Sequence, residues 1–273
     1  MQEKTVLITG GSSGIGLDLA KAYAALGNNI ILVARNQAKL DNAAGQCEAL
    51  KTRSTQKISA YSVDVSQDAD IQSLAQCVSH DFGAVDLVIL SAGVVQNIPF
   101  MQHSDADFTH IMHTNVMGSR AVLKHLLPAM IEKKHGHICF VSSLAGIVPV
   151  YGYSAYSASK FAILGMAGAL KQELYQQGIG VSVLCPPEVD TPMVQEEAKH
   201  VSPQARFVKD IAGTLKVDTV TKATIRGINK KQFLIIPGFM AKLTYMQARL
   251  APEIFSWVMQ CLVNYASKRA MKK

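Results

Sequence analysis

The sequence predicts an α/β protein, a doubly wound sheet of seven parallel strands with a helical appendage at its C-terminus. Three observations lead there. Short apolar runs alternate with longer stretches of helical spacing, the pattern of parallel strands joined by right-handed crossovers. A glycine-rich turn falls between the first run and the first helical stretch, where such a sheet binds a pyrophosphate. The 273 residues are 49% hydrophobic and 17% charged, enough to bury a large α/β core.

Taken in order, the first strand is expected over residues 5–9 and the first helix over 15–26, ending at Gly27. A strand over 30–34 leads to a helix over 37–50. A strand over 58–65, a helix over 71–82 and a strand over 85–90 follow. The second half gives a long helix over 115–133, a strand over 138–142, a helix over 156–176 and a strand over 181–185. After a less regular region, 193–216, which is a candidate lid, the seventh strand at 233–236 closes with Pro237-Gly238. No linker, repeat or low-complexity segment divides the chain. Residues 1–238 therefore read as one domain, and 239–273 as its extension.

Composition narrows the chemistry. The five cysteines, Cys47, Cys77, Cys139, Cys185 and Cys261, form no CxxC pair and no short spacing with histidine. A disulfide framework or a metal site is not expected, and a reducing, cytoplasmic setting is. The chain runs straight into Val6-Leu7-Ile8, so no signal peptide is expected. No apolar run is long enough for a conventional transmembrane helix. The formal charge of +7 is scattered apart from Lys133-Lys134-His135 and the terminal Lys268, Arg269, Lys272 and Lys273. With no basic stripe interleaved with aromatics, nucleic acid is not an expected partner. An anionic ligand or a membrane surface suits the balance better.

The turn itself is Thr9-Gly10-Gly11-Ser12-Ser13-Gly14-Ile15-Gly16. Glycines let backbone approach phosphates, the helix N-terminus supplies free N–H groups, and Ser12 and Ser13 add donors. At the end of the second strand stands Ala34-Arg35 and no carboxylate. A guanidinium suits a ribose 2′-phosphate, and Lys39 one turn later adds a second cation, so NADPH is the expected dinucleotide. Asp64 is placed to accept from an adenine amino group, with Val65 beside it. Tyr156 and Lys160 share one helix face. A cation at roughly 5 Å in an effective dielectric of about 20 favours the phenolate by ~3 kcal/mol, so an acidified tyrosine is expected.

With the glycine turn, Asn115-Val116-Met117-Gly118, Ser143 and Tyr156-Ser157-Ala158-Ser159-Lys160 in this order, the chain resembles the short-chain dehydrogenase/reductase family over about residues 1–195. The resemblance implies a Rossmann-type fold and a set of roles. Tyr156 protonates the carbonyl oxygen and Ser143 holds it. Lys160 lowers the tyrosine pKa and binds the nicotinamide ribose. Asn115 kinks its helix and holds a water linking Lys160 to solvent. Gly93 contacts the adenosine side through its backbone, and Val189 and Thr191 contact the nicotinamide carboxamide. Ser91-Ala92-Gly93 and Pro186-Pro187 depart from the family's usual Asn-Ala-Gly and Pro-Gly; the doubled proline should stiffen its loop.

Four stretches, Val33-Ala34-Arg35-Asn36, Ser62–Asp68, Tyr156–Ile163 and Pro186–Pro192, look like those of 3-ketodihydrosphingosine reductases. That resemblance implies NADPH-dependent reduction of a long-chain, lipid-like ketone. Alternatives are a steroid, fatty-acyl or generic ketone as substrate, or a non-catalytic NADPH-binding scaffold. In the appendage, Phe239, Leu243, Met246 and Leu250 form one stripe edged by Lys242 and Arg249. Beyond Pro252 only Ser256, Gln260, Asn264 and Ser267 make a polar line. Such a helix caps the cleft, forms a contact in a homo-oligomer (a dimer or tetramer), or lies on a membrane with its cations at headgroups.

Overall fold

The structure, a computed structural model, describes residues 3–271. Strand β1 (Thr5–Thr9) leads through the glycine turn into α1 (Gly14–Ala25). Next come β2 (Asn29–Ala34), α2 (Gln37–Glu48), β3 (Ile58–Ser62), α3 (Asp68–Phe82) and β4 (Leu87–Leu90). The second half begins with α4 (Asp105–Met112) and α5 (Gly118–Lys133), joined by a π-helical turn at His113–Met117. It continues with β5 (Gly136–Val141), α6 (Ser154–Glu173) and β6 (Ile179–Leu184). The chain ends with β7 (Glu188–Val189), α7 (Pro192–Glu197), α8 (Pro203–Ala212), β8 (Thr214–Leu215), α9 (Val217–Asn229), β9 (Leu234–Ile235), α10 (Phe239–Leu250) and α11 (Pro252–Ala270).

Seven strands form one parallel sheet in the order β3-β2-β1-β4-β5-β6-β9. The order reverses between β1 and β4, which opens the crevice where such sheets hold ligands. Strand residues alternate between the two faces. Leu7, Val88, Phe140 and Val183 enter one core, while Ile8, Ile89, Cys139 and Leu184 enter the other. Both faces are therefore covered by helices, and the strands read as unbroken apolar runs.

Three expectations need correction. The third strand stops at Ser62, not at residue 65. Asp64 Oδ1 accepts from both the backbone N–H and the hydroxyl of Ser66, at 2.9 and 2.8 Å, and this local turn takes the chain out of the sheet. The long helix begins not near Asn115 but at Asp105, where the Ser104 hydroxyl caps it by accepting from Asp107 N–H. Its polar first turns hid the start. Finally, β7 and β8 pair in a small second sheet that no apolar run announced.

The sheet's far side carries a half-buried histidine. His137 Nε2 lies 2.8 Å from Ser182 Oγ. Ser182 donates its own hydrogen to the Gln232 carbonyl at 2.5 Å, so it must accept from the imidazole Nε2–H. A Cβ at Gly180 would meet the ring at 2.3 Å, so only glycine leaves it room. Burial first, then Lys4 and Lys231, push the His137 pKa from 6.5 down to about 4. The unfolded chain therefore takes up this proton below pH 6.5 while the folded one resists until about 4. Stability is full above that window and falls as pH drops through it, by about 2–3 kcal/mol from this group. Urea unfolding at pH 7 and 4.5 should show a shallower pH slope for His137→Gln than for the unsubstituted protein. Equal slopes would remove the assignment.

Candidate active site

The site lies at the carboxyl ends of β1, β4 and β5. A cavity of about 760 Å³ runs from the glycine turn, past Tyr156, to the two C-terminal helices. Its first wall is the turn. Gly10 has φ +67°, and a Cβ there would lie 2.9 Å from the Ser91–Ala92 backbone. A Cβ on Gly16 would lie 2.3 Å from the Gly10 carbonyl oxygen. Both positions demand glycine, and the tight coil they allow turns the start of α1 towards the cavity. Ser13 makes no side-chain cap and α1 has no acidic residue in its first turn. Its first N–H groups are thus left for an anion, and the cradle fits a dinucleotide's phosphates.

Arg35 and Lys39 line the same end. The Arg35 guanidinium is 58% exposed and lies 4.0 Å from Asp64 Oδ2. Burial pulls the Asp64 pKa up, but the Ser66 hydrogen bonds and the Arg35 charge outweigh it and hold the carboxyl below its usual range. Val65 packs against Gly118, where a Cβ would come within 2.8 Å of its Cγ2.

At the centre stand Ser143, Tyr156 and Lys160, all on the cavity wall. Lys160 is buried, and its ammonium donates to the Val141 carbonyl at 2.9 Å. It lies 5.5 Å from the centre of the Tyr156 ring. Gly93 makes room for this group: a Cβ there would sit 3.1 Å from Asn115 Oδ1 and 3.6 Å from Lys160 Nζ. Asn115 is behind the wall, in the π-helical turn. Its Oδ1 accepts from Val94 N–H at 2.8 Å, and its Nδ2 donates to the Val94 carbonyl at 3.0 Å and the Ser159 hydroxyl at 2.9 Å. Both amide hydrogens are thereby spent. Val189 and Thr191 line the wall opposite Gly14. Of the expected site residues only Gly16 and Asn115 lie outside the lining, each as a support.

The acidified tyrosine is the expectation that fails. Burial raises the Tyr156 pKa to about 12, with Ser143 pulling it down and Glu197 pushing it up. Burial likewise lowers Lys160 to about 8. The Coulomb argument counted attraction and left out desolvation, which penalises both charged forms.

The short chain dehydrogenase family model matches residues 4–202. The chain belongs to the short chain dehydrogenase family. It is an oxidoreductase. It is 35% identical to mouse 3-ketodihydrosphingosine reductase over 222 residues, 81% of this chain and 67% of that protein. It is 31% identical to mouse estradiol 17-beta-dehydrogenase 11 over 263 residues, 95% of this chain and 83% of that protein. A short-chain dehydrogenase from Sphingobium yanoikuyae, solved in complex with NADPH, superposes with a TM-score of 0.77 at 24% identity, covering 96% of this chain and 95% of that one.

Within this family member, the end of the cavity away from the glycine turn holds residues that the sequence pattern did not single out. Glu188, Glu197, Lys209 and Tyr153 all line it. Lys209 Nζ reaches Glu188 at 2.6 Å, Glu197 at 2.9 Å and the Tyr153 hydroxyl at 3.1 Å. Tyr153 also donates to Glu197. Arg206 grips Glu188 with both terminal nitrogens, at 3.1 and 3.2 Å, and Asp210 with its Nε at 2.8 Å. Burial works against the Glu188 charge, but hydrogen bonds from Lys209, Thr214 and Arg206 prevail and bring its pKa to about 2. The signal available was Tyr153, one helical turn before Tyr156 and 6.0 Å away ring to ring.

The appendage closes this end. Leu243, Phe255, Met259 and Leu262 line the cavity, and α11 lies along α8, where Gln204 donates to Ser267 and Tyr265 meets the Phe207 ring. The outer surface of the helices carries exposed apolar side chains, with Leu250 78% and Trp257 68% accessible, beside the exposed polar Glu253, Gln260 and Asn264. Lys272 and Lys273 lie outside the described residues. No helix among the described residues is long and apolar enough to cross a membrane.

Proposed function

We propose that the protein is an NADPH-dependent reductase of a long-chain ketone, with 3-ketodihydrosphingosine as its substrate. The observation that carries this reading is a single cavity joining the glycine cradle, the Ser143–Tyr156–Lys160 group and an apolar vestibule built by α10 and α11. The similarity to mouse 3-ketodihydrosphingosine reductase supports the substrate. The similarity to estradiol 17-beta-dehydrogenase 11 supports a second reading, a steroid ketone in the same cavity.

A nicotinamide dinucleotide, when bound, supplies the hydride. The chain's own residues do the rest. Ser143 donates a hydrogen bond to the carbonyl oxygen and fixes its position. Tyr156, protonated throughout the neutral range, gives its phenolic proton to that oxygen as the alcohol forms. Lys160, cationic below about 8, stabilises the phenolate left behind and holds the ribose. Asn115 keeps the π-helical turn in register with α6 and serves the relay through which the phenolate recovers its proton. Gly10, Ser12, Ser13, Gly14 and Ile15 hold the pyrophosphate, with Gly16 keeping the turn tight. Asp64, Val65 and Gly93 hold the adenosine, Arg35 and Lys39 the 2′-phosphate, and Val189 and Thr191 the carboxamide. Residues 239–271 form a cap over the domain of residues 3–238.

Following NADPH oxidation at 340 nm against 3-ketodihydrosphingosine, steroid ketones and short ketones should give the highest kcat/KM for the first. Tyr156→Phe should lower turnover by about 10³-fold or more while leaving NADPH affinity within a few-fold; a variant with near-normal turnover would end the proton-donor role. Arg35→Asp should cut the NADPH-over-NADH preference by about tenfold or more, the worth of one charge-assisted contact. An untouched preference would return the specificity to other residues.

The exposed apolar side chains of α10 and α11, edged by Lys242, Arg249, Lys268 and Arg269, suit peripheral contact with an anionic membrane, from which a long-chain ketone enters the cavity directly. Sedimentation with anionic vesicles should bring down the unsubstituted protein and leave Leu250→Glu/Trp257→Glu largely in the supernatant. Unchanged partitioning would remove the membrane contact.

A further inference from the structure

The charged network at the substrate end is unusual for a wall facing an otherwise apolar vestibule. Its members arrive from separate elements: Glu188 from β7, Glu197 from the end of α7, Arg206 and Lys209 from α8, Tyr153 from the turn before α6. The Glu188 and Glu197 side chains are only 5% and 6% exposed, so their charges are held away from bulk water. Buried charge on this scale is costly unless each group is satisfied.

A donor and acceptor count shows what remains. Lys209 has three N–H bonds, and Glu188, Glu197 and the Tyr153 hydroxyl take them all. Arg206 is committed to Glu188 and Asp210. Arg206 keeps one Nη1 N–H but does not line the cavity, so no donor of this network is left to receive an anion there. The acceptors are less fully used. Glu188 is met by Lys209, Thr214 and both Arg206 terminal nitrogens. Glu197 has one partner on each oxygen, Tyr153 on Oε1 and Lys209 on Oε2. Each oxygen keeps acceptor capacity, and Glu197 lines the cavity. The buried carboxylates, Glu188 and Glu197, are matched by Lys209 and Arg206, while the third, Asp210, is 65% exposed and lies outside the cavity wall. Lys160, the nearest other cation on this wall, is tied back to the Val141 carbonyl.

The position of Glu197 matters. Glu197 touches Tyr153, whose ring is 6.0 Å from the Tyr156 ring. A cation bound to Glu197 would therefore sit close to a carbonyl held by Ser143 and Tyr156. We propose that Glu197, oriented by Tyr153 and Lys209, accepts a substrate ammonium group next to the carbonyl, so that the site selects a 2-amino ketone over the same ketone without the amine. This rests on the reductase reading given above and deepens it: the apolar vestibule takes the chain, and Glu197 reads the charged end.

The test compares 2-amino-1-hydroxyoctadecan-3-one with 1-hydroxyoctadecan-3-one, which lacks only the amine. With the unsubstituted protein and NADPH at neutral pH, the amine should be favoured by about tenfold or more in kcat/KM, the usual worth of a hydrogen bond to a charged group. Glu197→Gln should lose at least about tenfold more activity on the amine than on the ketone lacking it, chiefly through KM. Equal kcat/KM for the two ketones with the unsubstituted protein, a comparison that needs no variant, would overturn the proposal; so would equal losses in Glu197→Gln. If neither ketone is reduced, the reductase reading fails, and calorimetry then decides the amine site alone. Tighter binding of 2-aminooctadecane-1,3-diol than of octadecane-1,3-diol, abolished in Glu197→Gln, supports it; equal affinities overturn it.

Discussion

One carboxamide fastens the centre of this molecule. Asn115 reaches from the π-helical turn to both backbone groups of Val94 and to the Ser159 hydroxyl. It thereby ties the loop after β4, the long α4–α5 helix and α6 into a single unit. Ser159 in turn donates to the Tyr156 carbonyl, so the bond network runs into the turn that carries the phenol. Leaving Val94 unpaired in this buried place would cost about 1–3 kcal/mol per group. The position of Tyr156 relative to the sheet is set by this fastening more than by the helix that carries it. The π-helical turn is the backbone adjustment that lets Asn115 point inward.

Burial then governs the chemistry of the groups so positioned. Tyr156 and Lys160 are displaced in opposite directions, the phenol upwards and the ammonium downwards. The same low-dielectric wall acts on both, and in each case it disfavours the ion. The two shifts carry the pair apart, from 10.0 and 10.5 in water to about 12 for the phenol and about 8 for the ammonium. The phenol therefore keeps its proton until a substrate oxygen takes it, and the ammonium is the member of the pair whose charge changes nearest neutral pH.

Much of the frame could be read from residue pattern, because the pattern is the direct imprint of burial. Val6-Leu7-Ile8 and Leu87–Leu90 are apolar on both faces, and only a doubly covered sheet asks for that. The glycine turn was legible because a Cβ at Gly10 or Gly16 has nowhere to go. What escaped the sequence depended on partners distant along the chain. β7 and β8 are two residues each and exist only because they find one another. The start of α4 is set by Ser104, and its exposed carboxylates disguised it as a loop. Glu197 and Lys209 fall in the 193–216 stretch, legible only as a candidate lid, since nothing local signals that they meet Tyr153 inside a cavity. The tyrosine pKa was misjudged for the same reason: spacing gives a distance, but desolvation depends on every element packed around the pair.

The doubled proline after β6 leaves a quieter mark. Neither Pro186 nor Pro187 carries an amide hydrogen, yet the Pro186 carbonyl accepts from Leu144 N–H at 2.8 Å and so locks the Ser143 loop to the end of the sixth strand. Slow exchange of protons for deuterons at this junction is read from Leu144 and from Ser142, whose N–H donates to the Leu184 carbonyl at 2.8 Å. These two amides are consequently reporters for the junction as a whole: their protection measures how often the floor beneath the reacting oxygen comes apart.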